Sequence, residues 1–130
     1  MIEVGELQPN QTREEFASRF SKYSGYKGQF ERAIDAVLGG CVKEHVFSPS
    51  GRTVYTVVGK GGEEFIDPEK PFCSCKNFFF GVLGGRNQTC YHLLGYAIAR
   101  DAGRLDKVGF HDEEFESFIA LLLRDLAEAD

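Results

Sequence analysis

Three of the four cysteines stand with one histidine in the pattern C-x-C-x14-C-x-H, as Cys73-Ser74-Cys75 and then Cys90-Tyr91-His92. Three thiolates and an imidazole are a complete tetrahedral donor set for one structural Zn2+ per chain, with zinc–sulfur bonds near ~2.3 Å. In an extended segment, residues i and i+2 face the same side. Both sulfurs of the C-x-C pair can therefore meet one ion while Ser74 points away. On a helix the same spacing turns through about 200°, so Cys90 and His92 converge only if Cys90 sits at or before the first turn. Thr89 has the side chain of a good N-cap and is placed to start a helix there.

Other chemistries compete for these residues. An even cysteine count allows disulfides, but a C-x-C pair bridges poorly, and Met1–Glu6 has neither the basic region nor the apolar core of a secretory signal. A Cys90–His92 catalytic dyad requires near neighbours on one helix to reach hydrogen-bond geometry, and it leaves two cysteines unexplained. A catalytic zinc keeps a position open to water, whereas four soft protein ligands close this one. Cys41 opens a strand and reads as a small buried hydrophobe. His45, in a strand, reads as a satisfied or exposed histidine and as a spare ligand only secondarily. His111 precedes an acidic helix start and suits local pairing. No nucleophile motif, paired carboxylates or P-loop occurs; Gly59-Lys60-Gly61-Gly62 reads as a hairpin turn, so no enzymatic activity is expected.

The elements that must position the ligands follow from periodicity. Thr12 and Glu15 form a capping box ahead of Phe16, Ala17 and Phe20, predicting a helix over 12–22. Phe30, Ala33, Ile34, Val37 and Leu38 predict a second over 27–38, stopped by Gly39-Gly40, and the two read as a hairpin. Val42–Phe47, Thr53–Val58 and Glu63–Ile66 read as strands of an antiparallel meander, with turn chemistry at Ser48–Gly51 and Gly59–Gly62. A short Phe-rich helix near Lys76–Leu83, a loop over Gly84–Gln88 and a helix from about Cys90 to Ala102 follow. A final helix, about Asp112–Ala127, opens on acidic residues at the positive end of its dipole. The expected fold is α+β: a small antiparallel meander with N- and C-terminal helices and a structural Cys3His zinc site. It forms one compact domain in three stretches: a helical hairpin over 1–40, the zinc-binding β/α core over 41–104 and a C-terminal helix over 105–130.

With 130 residues, 42% hydrophobic and 27% charged, the chain has the arithmetic of a single soluble domain, and twelve Phe supply its core. The net charge of −5 is uneven: residues 1–40, 41–70, 71–104 and 105–130 carry −1, −1, +3 and −6. Lys76, Arg86, Arg100 and Arg104 make the third stretch the one candidate nucleic-acid footprint. The acidic tail opposes strong stand-alone DNA binding. The expected location is intracellular, cytoplasmic in a prokaryote and nuclear in a eukaryote, without a membrane partner.

The motif also resembles a known family. Ser48–Tyr55, Gly59 with Gly62, Phe72-Cys73-Ser74-Cys75, Phe78-Phe79-Phe80, Val82-Leu83 and Cys90-Tyr91-His92-Leu93-Leu94 are similar to SWIM zinc-binding domains, in particular the small stand-alone SWIM proteins of Shu-type recombination complexes. The resemblance covers residues 45–98. It implies zinc held by Cys73, Cys75, Cys90 and His92, no catalysis, and binding to a RecA-type recombinase paralogue that assembles on single-stranded DNA. Where the family often has alanine three residues after the ligand histidine, this chain has Gly95. The alternatives are a direct nucleic-acid binder, with Tyr91 or Phe78 stacking on bases, and a regulatory adaptor outside recombination.

Overall fold

The computed structural model describes residues 12–26, 28–59, 62–76, 78, 82–85 and 89–128. The Thr12 hydroxyl accepts from the Glu15 amide at 3.0 Å and the Glu15 carboxylate accepts from the Thr12 amide at 2.8 Å, closing the capping box that starts α1 (Arg13–Ser18). A 3-10 turn, Ser21–Tyr23, leads to α2 (Gln29–Leu38). Strands β1 (Val42–Ser48), β2 (Arg52–Gly59), β3 (Gly62–Asp67) and β4 (Phe72–Cys73) follow, then α3 (Tyr91–Ala102). Gly103 ends α3 with φ 68°, a left-handed conformation that costs glycine little. The chain then forms β5 (Asp106–His111), a 3-10 turn (Asp112–Glu114) and α4 (Phe115–Glu128).

The strands make one sheet in the order β4-β3-β2-β1-β5. The first four are antiparallel neighbours, as the meander required, and β5 joins β1 in parallel register, with His45 opposite Val108 and Phe47 opposite Phe110. The sequence pattern assigned no strand to 105–111, where charged residues and Gly109 dilute the apolar alternation; β5 depends on its pairing with β1 and on Phe110 stacking on Phe47, centroids 5.1 Å apart. The stretch 105–130 is thus a strand and a helix rather than a helix alone.

The sheet is covered on both faces. On one, Val42, Val57 and Ile66 pack with Ile34, Val37, Leu94 and Ile98 of α2 and α3. The expected hairpin of α1 and α2 is not the main packing pair: α2 lies chiefly on α3, and α1 inserts Phe16 and Phe20 at the side. Gly95 sits where these helices meet. On the other face, Phe47 and Val54 meet Leu122, flanked by Phe65, Phe110, Phe115, Phe118 and Ile119.

A polar row runs through this second, phenylalanine-rich layer. The His45 ring lies 4.6 Å from that of Phe118, with Nε2 3.0 Å from the Thr56 hydroxyl and 3.5 Å from the Glu63 carboxylate, to which Thr56 also donates. The hydrogen bond from His45 holds the Glu63 carboxyl below its ordinary range, against the opposing effect of burial. Among the described residues, no helix is long and apolar enough to cross a membrane.

Two outcomes are expected. A Cβ added at Gly95 would meet only ordinary contacts, 3.7 Å to Val42 and 3.9 Å to Ala33. Gly95→Ala therefore raises stability in denaturant titration by roughly 0.5–1 kcal/mol through helix propensity. Because the folded Glu63 pKa lies below its unfolded value, its contribution is full at neutral pH and is lost as pH falls through the folded value. Glu63→Gln should cost about 1 kcal/mol at neutral pH and leave a shallower acid limb in a series of thermal melts.

Candidate metal centre

Cys73 ends β4, whose Cys73 pairs with Ile66 of β3. The bridge then continues by side chain. The Ser74 amide donates to Phe65 O at 3.0 Å, the Phe65 amide donates to Ser74 Oγ at 3.0 Å, and that hydroxyl donates to Glu64 at 2.7 Å. Ser74 thus points toward β3, fixing the register that turns Cys73 and Cys75 to one side. The Phe78 amide donates to Cys75 Sγ at 3.3 Å. Only Lys76, Phe78, Val82 and Leu83 of the expected Phe-rich helix are described, and the Leu83 amide donates to Phe78 O, five residues back, at 2.9 Å.

The helical pair is arranged as the 200° argument demanded, with one difference. Cys90 itself, not Thr89, is the N-cap of α3, with extended dihedrals of −107° and 163°, because a residue outside the helix can aim its sulfur where a helical one cannot. His92 lies in the first turn. The four ligand atoms fall within 4.8 Å of one another, and all four residues are buried. Tetrahedral zinc–thiolate geometry needs sulfurs about 3.8 Å apart, so small adjustments close the set on an ion.

The donor chemistry fits. The buried His92 Nδ1 has no hydrogen-bond partner, an orphan that a metal ion satisfies. Cys73, Cys75, Cys90 and His92 hold one structural Zn2+, which supplies cross-linking and thiolate neutralisation. All four positions are taken by protein, which leaves no site for a reacting water among them.

Beside the centre lies a cavity of about 710 Å³ lined by Arg32, Cys41, Val58, Glu64, Tyr91 and His92 among others. The Tyr91 and His92 rings are 3.9 Å apart, and the Arg32 guanidinium lies 5.9 Å from the Tyr91 centroid. A Cβ at Gly59 would fall 2.7 Å from the Tyr91 hydroxyl, so this turn glycine gives the ring its room. Sequence reading gave Gly59 to a hairpin turn and to the SWIM resemblance but missed its role beside Tyr91. Cys41 is half-buried on the cavity wall rather than fully buried. His111 donates its amide to Glu114 at 2.9 Å, the local pairing its position suggested.

The described basic residues differ in exposure and partners. Arg104 is 7% exposed, with its guanidinium 4.9 Å from the Phe16 centroid and Nη1 without a partner, so it is turned into the fold rather than toward a phosphate. Burial, with Arg19 nearby, holds its pKa below the ordinary arginine value. Arg100 is exposed but bonded to Asp101 at 3.3 Å. Lys76 is exposed beside Cys75, and Arg86 lies outside the described residues. Of the candidate stacking aromatics, Phe78 is buried at 7% exposure and Tyr91 is half-buried against His92.

No family model matches the chain, and no solved structure does. The zinc finger SWIM domain-containing protein 7 homolog of Dictyostelium discoideum is 31% identical over 96 residues, 69% of this chain. The match spans 62% of that protein.

Purified chain should carry one zinc by elemental analysis. Cys75→Ser and His92→Ala should each lose the metal and the cooperative thermal transition together. A metal-free chain that still melts cooperatively would contradict a fold-forming ion.

Proposed function

This chain carries a SWIM-type zinc finger, and on that premise we propose that it is a non-enzymatic accessory protein of homologous-recombination DNA repair. It binds a RecA-type recombinase paralogue and promotes assembly of the recombinase filament on single-stranded DNA. The observation that carries this reading is the closure of the metal centre by four buried protein ligands. Such an ion builds a surface instead of performing a reaction. The resemblance of residues 45–98 to the stand-alone SWIM proteins of Shu-type complexes supplies the partner class.

Surface chemistry supports a protein partner over direct nucleic-acid contact. Leu83, Leu121 and Leu123 are 65%, 58% and 59% exposed, apolar area of the kind protein partners cover. The net charge is −5, and among the described basic residues of the +3 stretch Arg104 is buried and Arg100 is paired with Asp101, while Lys76 is exposed. DNA is then reached through the ATPase partner.

Affinity purification of the tagged, zinc-loaded chain from its own cells, with nuclease treatment and mass spectrometry, tests this. A RecA-type ATPase should be recovered in near-equal amount and resist nuclease. Its absence, or partners lost with nuclease, would overturn the recombinase reading and favour direct nucleic-acid binding or another adaptor role.

A further inference from the structure

We infer that the corner where α1, the 3-10 turn after it and the end of α3 meet is a docking site for an acidic side chain of a partner protein, whose carboxylate is held between Arg104 and Arg19. Nothing in this site depends on the recombination reading. The chain carries −5 overall, yet this corner gathers Arg19, Lys22, Arg100 and Arg104 with one ion-pairing carboxylate, Asp101. Arg19 caps the end of α1, and its guanidinium lies 5.6 Å from the Phe16 centroid and 5.4 Å from that of Phe20. Arg104 follows the left-handed Gly103 at the end of α3, its amide donating to Ala99 O at 2.8 Å and its guanidinium 4.9 Å from the same Phe16 ring. One phenylalanine ring thus joins two cations from distant parts of the chain.

Only part of that charge is balanced. Asp101 lies 3.3 Å from Arg100 and 3.8 Å from Lys22, and it also accepts from the Tyr23 hydroxyl at 3.2 Å. Among the described residues, the side chains of Arg19 and Arg104 make no ion pair and no hydrogen bond. Arg104 is 7% exposed, and the influences on its guanidinium are burial and the like charge of Arg19, both lowering its pKa. An arginine so covered is ordinarily paired, because an uncompensated buried charge is strongly unfavourable. Nη1 is the one guanidinium nitrogen that is both covered and without a partner, so Nε and Nη2 keep contact with solvent. A carboxylate arriving from that side supplies the counter-charge.

The chemistry selects a carboxylate on a protein. Its two oxygens match the planar fork of a guanidinium, and its single charge costs less to desolvate beside Phe16 than the double charge of a phosphate monoester. A nucleic-acid strand needs a track of exposed cations for successive phosphates. Here one arginine is buried and Arg100 and Lys22 share Asp101, which leaves a point site suited to one acidic side chain. Lys22 and Arg100 at the rim speed the encounter with an acidic segment and make it salt-dependent.

Calorimetric titration of the zinc-loaded chain with hexaglutamate, at about 20 mM salt where screening is weak, provides the test, with hexaglutamine and a short oligothymidylate as comparisons. Hexaglutamate is expected to bind and hexaglutamine is not. Arg19→Gln, at an exposed position, should weaken binding roughly fivefold and leave melting unchanged. Arg104→Met should weaken binding roughly tenfold, yet without peptide it should melt no lower than the parent chain, since an apolar side chain replaces an unpaired buried charge. A purely structural Arg104 would instead lower the melting temperature when replaced. Absence of hexaglutamate binding, binding that neither substitution weakens, an Arg104→Met chain that melts lower, or oligothymidylate that binds more tightly with the same dependence on Arg19 would each overturn the inference. Recovery of an ATPase partner is read out separately.

Discussion

The rest of the molecule depends on one constraint: three sulfurs and one ring nitrogen must reach the same point from two separate parts of the chain. Cys73 and Cys75 come from the end of the sheet, while Cys90 and His92 come from the beginning of α3. A short edge strand is a poor anchor, since β4 has only two residues and shares its register with β3. Ser74, bound to Phe65 and Glu64, extends that register through the C-x-C turn. The metal then ties the sheet edge to the N-terminus of α3. Because α3 is the principal support of α2, the tie is transmitted to the whole helical layer.

The two faces of the sheet solve burial differently. Under α2 and α3 the core mixes aliphatic residues with Phe16, Phe20 and Phe30, and a Cβ added at Gly95 would make ordinary contacts with Val42 and Ala33. Under α4 it is aromatic and contains the His45–Thr56–Glu63 row. A buried histidine beside phenylalanines is tolerated because a hydroxyl and a carboxylate satisfy one of its nitrogens. The Asp112 carboxylate secures the other end of this layer, accepting the Ser50 amide at 3.0 Å and hydroxyl at 2.7 Å and so tying the β1–β2 turn to the entrance of α4.

On the proposed reading, the closed metal centre and the exposed leucines serve surfaces that bind a partner. The four ligand residues are buried, the neighbouring cavity is shaped by Gly59 and Tyr91, and among the described residues large apolar side chains are exposed at Val58, Leu83, Leu121 and Leu123. Binding, on this view, is distributed over elements that the zinc keeps in place.

Local chemistry made much of this legible in sequence. The ligand set, the Thr12–Glu15 cap, the glycine stop of α2 and the β-branched run of β2 are written in neighbouring residues, because capping, turn formation and tetrahedral thiolate coordination act over a few positions. Tertiary structure decided the rest. β5 exists because β1 offers it an edge and Phe47 a ring to stack on, neither visible in Asp106–His111 itself. Arg104 resembles a surface cation until Phe16, far away in sequence, covers it. Cys90 displaces Thr89 as the cap because its sulfur is claimed by Cys73 and Cys75 across the fold. In each case the deciding partner is distant along the chain, and only packing brings it near.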